Sequence, residues 1–508
     1  MKQRGLKQLR VIVALIYFIG LSAVFLDYRE WIPLDWKGNW VAVQFLPSLI
    51  HAMTGYAAAL GTMIVLILLT FLLGRIYCSA ICPLGILQDL TLRIIRRFKR
   101  MKFRYRAPSL MRYGVLVTVG LTLPFTLGVL NLIEPYSQFG RIATHLVKPA
   151  VIQLNNALAG LFDWFGSYAI VPVSSSSPRW GTVGITVIFW SVLIILVIRR
   201  GRIFCNTVCP AGTVLSFISR SSRFRIRIDP ERCNGCGRCG GNCKTECIDS
   251  KIRSVDASRC IVCCNCMNEC PAGAISYRFS GLKQRRLASG KPNLVDSARR
   301  VFLITSVSSV ALLPAVAPGS SISSFAAAPP GAGSVDDFMD KCTACQACVS
   351  VCPTGVLKPA FLQRGFSGMM QPYMAFQQNF CNYSCTSCGE VCPTGAIRLL
   401  PLEKKQVTRI GIARFHREQC VVISKYTDCI ACGEHCPTKA LKVLQAGERL
   451  VEPHVDDALC IGCGACEYAC PVRPRRAITI EPLNRHEQAK PPDRGKSVPE
   501  ETITEFPF

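Results

Sequence analysis

Thirty cysteines in 508 residues are the side chains best able to do chemistry, and their spacing says which chemistry. The unit C-x2-C-x2-C-x3-C occurs as Cys233, Cys236, Cys239 and Cys243, and again as Cys260, Cys263, Cys266 and Cys270. It returns as Cys342, Cys345, Cys348 and Cys352, and as Cys460, Cys463, Cys466 and Cys470. Two variants complete the set: Cys381, Cys385, Cys388 and Cys392 open with C-x3-C, and Cys420, Cys429, Cys432 and Cys436 open with C-x8-C. These spacings do not read as a disulfide framework, and zinc sites pair C-x2-C knuckles instead of running four cysteines together. Three thiolates on one tight loop grip three irons of a cubane, while the fourth commonly ligates the neighbouring cluster. The spacing predicts six [4Fe–4S] clusters, four cysteines to each, leaving six cysteines over.

Four of those six sit in a second repeat. GRIYCSAICPLG (74–85) and GRIFCNTVCPAG (201–212) share Gly-Arg-Ile-aromatic-Cys-x3-Cys-Pro-x-Gly and supply Cys78, Cys82, Cys205 and Cys209. Two equivalent helix ends can bring these thiols together. The pattern is compatible with a redox thiol pair, a mononuclear metal site or a seventh cluster. Cys247 and Cys264 read as spare buried thiols beside the clusters, Cys247 in competition with Cys243.

The elements that must position these residues are partly apolar helices. Half of the residues are hydrophobic, mean hydropathy is +0.29, and segments 11–26, 57–73, 113–133 and 182–198 carry no charge. At ~1.5 Å per residue each is long enough to cross, or nearly cross, a ~30 Å hydrocarbon core. The net charge of +27 does not point to nucleic acid, because it is distributed by topology. Basic residues crowd the N-terminus, the stretch 93–112 and the end of the fourth segment, whereas 27–52 holds only Arg29 and Lys37, and 134–180 only Arg141, Lys148 and Arg179. That alternation is the positive-inside pattern of four spans with both ends cytoplasmic, and it puts both C-x3-CP motifs at the cytoplasmic surface. Between the second and third cysteine blocks lies SARRVFLITSVSSVALLP (297–314), with paired Arg299-Arg300 before an apolar run. It reads as a twin-arginine export signal, with an ordinary fifth span as the alternative. Small-residue cleavage sites lie at 315–317 and 326–328.

The paired C-x3-CP motifs on four spans, followed by a two-cluster ferredoxin, resemble the NapH type of membrane quinol dehydrogenase over residues 1 to about 280. The twin-arginine segment followed by four cluster motifs resembles the NapG/MauM polyferredoxins over about 290 to 480. The two look fused here, and the internal export signal is then the former N-terminus of the second protein. The resemblance implies quinol oxidation and electron delivery to a periplasmic redox enzyme of nitrate-reductase type or a similar respiratory acceptor, a cytochrome c or terminal reductase. Arg75 and Arg202 are then candidates to hold a quinone carbonyl, or else anchors of helix ends at headgroup level. NosR-type proteins, which serve copper-enzyme assembly and electron supply, carry similar motifs and give a second reading; a passive wire within a larger quinone-linked complex gives a third.

The expected molecule is a multi-domain, multi-pass protein of a bacterial inner membrane, in contact with lipid, the quinol pool and the twin-arginine translocation machinery. It combines a four-helix transmembrane bundle (1–222), a cytoplasmic α+β two-cluster ferredoxin (223–285) and a signal or fifth membrane helix (290–318). A linker (319–337), a periplasmic four-cluster polyferredoxin (338–483) and a disordered tail (484–508) follow. One histidine near a span, His51, makes b-type haem held by this chain alone improbable.

Overall fold

The computed structural model describes residues 3–98, 101–106, 110–123, 126–173, 179–279, 326–361, 363–365, 367–445 and 451–492. Its first part is helical: α1 (Gln3–Leu26), α2 (Leu34–Ala42), α3 (Phe45–Met53), α4 (Ala57–Leu73), α5 (Tyr77–Ala80) and α6 (Pro83–Phe98) form one half. The second half runs α7 (Met111–Thr122), α8 (Gly128–Ile133), α9 (Pro135–Ile142), α10 (Lys148–Trp164), α11 (Trp180–Arg200), α12 (Ile203–Thr207) and α13 (Pro210–Ser219). In both halves an apolar helix ends at a glycine of positive φ, Gly74 at 79° and Gly201 at 59°. A short helix then carries the first cysteine, and a proline at the first helical position starts the next helix, where a missing N–H costs nothing.

Among the described residues two helices, Gly5–Leu26 and Trp180–Arg200, are long and apolar enough to cross a membrane; they cover the first and fourth of the expected spans. α4, over the second expected span, has 17 uncharged residues, at the short end of the range for a crossing. The segment 113–133 is divided between α7 and α8. Leu123, the residue before Pro124, keeps helical φ and ψ of −56° and −40°, and Thr126 N donates to Thr122 O at 2.9 Å.

The cysteine-rich parts are α+β units with two-stranded antiparallel sheets. In the first, β1 (Phe224–Ile228) pairs with β4 (Ile275–Phe279) around an inner hairpin of β2 (Ile248–Asp249) and β3 (Ser254–Val255). The middle unit holds β5 (Leu357–Pro359) and β6 (Pro372–Met374). The last repeats the first unit's plan: β7 (Thr408–Phe415) pairs with β10 (Ile478–Gln488) around β8 (Leu441–Gln445) and β9 (Val451–Val455). Two strands alone are marginal in water. Cysteines fill the remaining core, as where Cys243, Cys247, Cys264 and Cys266 pack with Ile226, Ile248 and Ile275.

Two expected boundaries shift. The second half of the proposed linker is core, not tether: Ala327 and Ala328 are fully buried, Arg364 Nη2 donates to the carbonyls of Ala326 (3.0 Å) and Ala327 (3.1 Å), and a helix spans Val335–Lys341. The tail expected from 484 is ordered through 492, because β10 continues to Gln488. Beyond it, Ala489 N donates to Val407 O at 2.8 Å. Its side chains are mostly polar, so composition reads as disorder, while the backbone hydrogen bonds that order it leave no trace in composition. The export signal or fifth helix at 290–318 lies outside the described residues.

α1 spans the distance between the two cysteine-rich parts. Near its start, Leu6 packs on the first ferredoxin core. Near its end, Phe25 packs against Tyr136 and Phe139 at ring-centroid distances of 6.1 and 6.0 Å, and the neighbouring Gly140 touches the Cys345 carbonyl. Its 24 residues are about 36 Å long at the α-helical rise.

Candidate functional site

Four cavities are each lined by cysteines from two motifs. Cys233, Cys236 and Cys239 line a cavity with Cys270; Cys342, Cys345 and Cys348 line one with Cys392. Cys381, Cys385 and Cys388 are joined by Cys352, and Cys460, Cys463 and Cys466 by Cys436. The same exchange puts Cys243 near Cys266 and Cys470 near Cys420 and Cys429. The motif at 233 therefore pairs with that at 260, 342 with 381, and 420 with 460. Three sulfurs from one loop and one from the partner around a small cavity is the donor set of a cubane. Among the described residues no three His, Cys, Asp or Glu side chains gather as a single-ion site. Cys247 Sγ lies 3.5 Å from Cys243 Sγ, in position to compete with it, and Cys264 is fully buried with its Sγ 3.5 Å from the Val262 carbonyl.

Cys78, Cys82, Cys205 and Cys209 come together in one buried core with Tyr77, Leu84, Phe204 and Leu215. Cys209 caps α13, its sulfur accepting from Gly212 N at 3.3 Å. The two arginines of the repeat cross between the motifs. Arg75 Nη2 donates to the Cys205 carbonyl at 3.1 Å and lies 3.7 Å from Cys78 Sγ, while Arg202 Nη1 donates to the Cys78 carbonyl. The close approach requires glycine twice: a Cβ on Gly85 would stand 3.0 Å from Arg202 Nη1, and one on Gly212 2.9 Å from Arg75 Nη2. Arg202 is anchored by Asp89, with Nε donating to Oδ1 at 2.7 Å, and Asp89 also pairs with Lys244 and, at 3.6 Å, with Arg10. Burial alone would raise the Asp89 carboxyl, but the Arg202 and Lys244 charges outweigh it and hold the group well below the usual carboxylate range. Arg75 and Arg202 are 1% and 0% exposed; the structure places both guanidiniums inside the motif pair, where they clamp it.

This four-thiol centre lies between the ferredoxin parts. On one side Arg75 Nη1 donates to Ser258 O at 3.0 Å and Arg202 N to Lys244 O at 2.8 Å, tying both motifs to the first ferredoxin. On the other, a row of donors seats the loop that starts at Cys342. Asn131 Nδ2 reaches Cys342 O (3.2 Å), Ser137 Oγ Thr343 O (2.7 Å), Arg141 Nε Ala344 O (3.2 Å) and Lys148 Nζ Ser350 O (2.6 Å). Cys263 of the first part and Cys345 of the second both pack against the core that holds the four thiols. Farther out, Cys381 N donates to Cys463 O at 2.9 Å, joining the middle unit to the last. The seating donors escape a sequence reading; their one signal is polar residues on short helices beside an apolar segment.

Comparison with known proteins finds the same cluster chemistry, though one family model joins the motifs at 260 and 342, which the structure places in different units. A 4Fe-4S binding domain model matches 56–102 and 182–229, the two C-x3-CP regions. 4Fe-4S dicluster models match 256–356 and 341–396, and a further 4Fe-4S binding domain matches 453–476. An uncharacterised protein of Methanocaldococcus jannaschii is 25% identical over 43% of this chain and 71% of its own length. The putative electron transport protein YccM of Escherichia coli is 24% identical over 46% of this chain, which spans 61% of that relative. The ferredoxin-type protein NapF of Escherichia coli is 30% identical over 31% of this chain and 86% of its own length. Electron transfer through [4Fe–4S] clusters is the chemistry these relatives and the cysteine pockets have in common, and the chain belongs to the ferredoxin-type 4Fe-4S proteins.

Proposed function

We propose that the chain carries electrons from membrane quinol, through the four-thiol centre, to the second group of cysteine pockets and on to an extracytoplasmic redox enzyme. One observation carries this reading: the four buried thiols share a core with Cys263 of one ferredoxin part and Cys345 of the other. This placement supports a path through the centre for an electron crossing the helical domain. The two long apolar helices, the basic residues at the first ferredoxin's end of the domain, and the contacts of α1 with a different ferredoxin part at each end support opposite sides of a membrane for the two parts. The NapH-like and NapG/MauM-like character of the two halves, the twin-arginine route and a nitrate-reductase-type acceptor belong to this proposal.

When bound, the clusters supply one-electron redox chemistry at potentials set by charge, hydrogen bonds and exposure. The chain's own residues do the rest: Arg75 and Arg202 fix the two motifs against each other and set guanidinium groups at Cys78 and Cys205, while burial pushes the Cys82, Cys205 and Cys209 thiols up. Substituting Ser at Cys82 and Cys209 removes two thiols at nearly constant size. Iron in the ferredoxin parts is expected to stay near wild type while quinol-driven reduction of the second part falls sharply. A wild-type rate in that double variant makes the four-thiol centre structural and removes the reading.

A further inference from the structure

The helical domain contains a cavity of about 280 Å³ between the first half of α1 and α6, floored by Ser79, Lys244 and Asn265. A cavity of about 150 Å³ takes benzene, so this one has room for a substituted ring. Its polar end is set by Lys7, Arg10, Arg96 and Lys244 around Asp89. Arg10 donates from Nη1 to Ser79 O at 3.0 Å, and its buried Nε has no partner, as do Nε and Nη2 of Arg96. The other end is apolar, with Val11, Ala14, Phe18 and Ile86. Leu15 and Leu90, also in the wall, are 46% and 42% exposed on the surface that faces lipid when α1 crosses the bilayer.

Two of the floor residues belong to redox motifs. Ser79 lies between Cys78 and Cys82, and Asn265 between Cys263 and Cys266. A ligand in this cavity touches one residue of a C-x3-CP motif and one of a ferredoxin motif at once. We infer that the cavity is the seat of the quinol headgroup: the ring lies against Ser79 and Asn265, unpaired guanidinium N–H groups of Arg10 and Arg96 donate to its oxygens, and the isoprenoid tail leaves between Leu15 and Leu90. This rests on the quinol-linked reading above, and it moves the quinone donors from Arg75 and Arg202 to Arg10 and Arg96. The five cations lining the cavity, Arg93 included, also suit an anionic phospholipid headgroup; contact with two redox motifs favours the quinone.

The test uses the full chain in lipid nanodiscs with an azido-benzoquinone as photoprobe, labelled peptides being identified by mass spectrometry. Labelling is expected on residues 7–18 and 86–96 of the wild type. Ala14→Phe fills the apolar end and Leu90→Trp closes the mouth. Each is expected to abolish labelling there and to slow quinol-driven reduction roughly tenfold or more, about 1.4 kcal/mol of lost binding. Dithionite-reduced spectra are expected to stay unchanged, because neither residue touches a cysteine pocket. Labelling elsewhere, with wild-type rates in both variants, overturns this site and leaves the quinol reading standing. Retention of one anionic phospholipid by the wild type, lost in both variants and blocking the probe, overturns it in favour of a lipid seat. Failure of quinol to reduce the wild type at all, with intact clusters, overturns the functional reading itself.

Discussion

At the scale of residues, the four-thiol centre depends on a small number of buried charges. Asp89, 19% exposed at its side chain, pairs with Arg202, Lys244 and Arg10 and so ties α1, α6, the second motif and the first ferredoxin together. Removing one partner of a mostly buried cluster leaves uncompensated charge, at a cost of about 3–5 kcal/mol. Asp89→Asn is therefore expected to lower the unfolding midpoint strongly and to loosen the first ferredoxin, read as faster hydrogen exchange around Lys244. Because the folded carboxyl is held below its ordinary range, its contribution is complete near neutral pH and is lost only as pH falls through the depressed folded value. A melting series is thus expected to show a flat wild-type advantage over Asp89→Asn from neutral to mildly acidic pH. Gly212→Ala tests the crossing of the motifs in another way. Its Cβ would meet the Cys205 backbone carbonyl first and Arg75 Nη2 at 2.9 Å, and overpacking of this kind costs about 1–3 kcal/mol. A variant as stable as wild type would show that the two motifs are free to separate and are not clamped.

At the scale of elements, what was legible in the sequence is what depends on near neighbours in the chain. Six loops announce their ligands because three of the four sulfurs lie within one turn, and the repeated GRI-aromatic-C-x3-CP motif announced a shared centre because both copies stand in the same helix-end context. Which motifs pair was not legible, since Cys270 reaches back to the loop of Cys233, and Cys436 forward to that of Cys460. The order of residues 484–492 was hidden for the same reason: β10 is held by β7, about seventy positions earlier, through backbone groups. Hydropathy weighs 113–133 as one apolar run and does not show that its described helices are two, Met111–Thr122 and Gly128–Ile133. The export segment makes its own prediction. Reporter fusions at about residue 285 and about residue 340 are expected to report opposite compartments. Arg299→Lys with Arg300→Lys is expected to leave the second part inside if it travels as folded cargo; unchanged export would instead mark an ordinary fifth span.

At the scale of the whole molecule, the cysteine sets form an ordered series. The pair at 233 and 260 is followed by the four thiols, then by the Cys342 set seated on the helical domain, the Cys381 set, and the last unit, joined through Cys381 and Cys463. Anaerobically purified protein is expected to hold roughly 24 irons, four per cubane; about 28 would place a seventh cluster at Cys78, Cys82, Cys205 and Cys209, and a zinc-dominated analysis would remove the electron-transfer account. The most direct test of the central claim, that electrons cross the helical domain through these thiols, is made in sealed vesicles. Protein oriented with the second part facing the lumen is given quinol in the bilayer and a membrane-impermeant redox dye inside, and dye reduction is followed with time. The account predicts rapid reduction by the wild type and reduction near the protein-free rate by the Cys82→Ser, Cys209→Ser variant; equal rates in the two proteins, at equal cluster content, would contradict it.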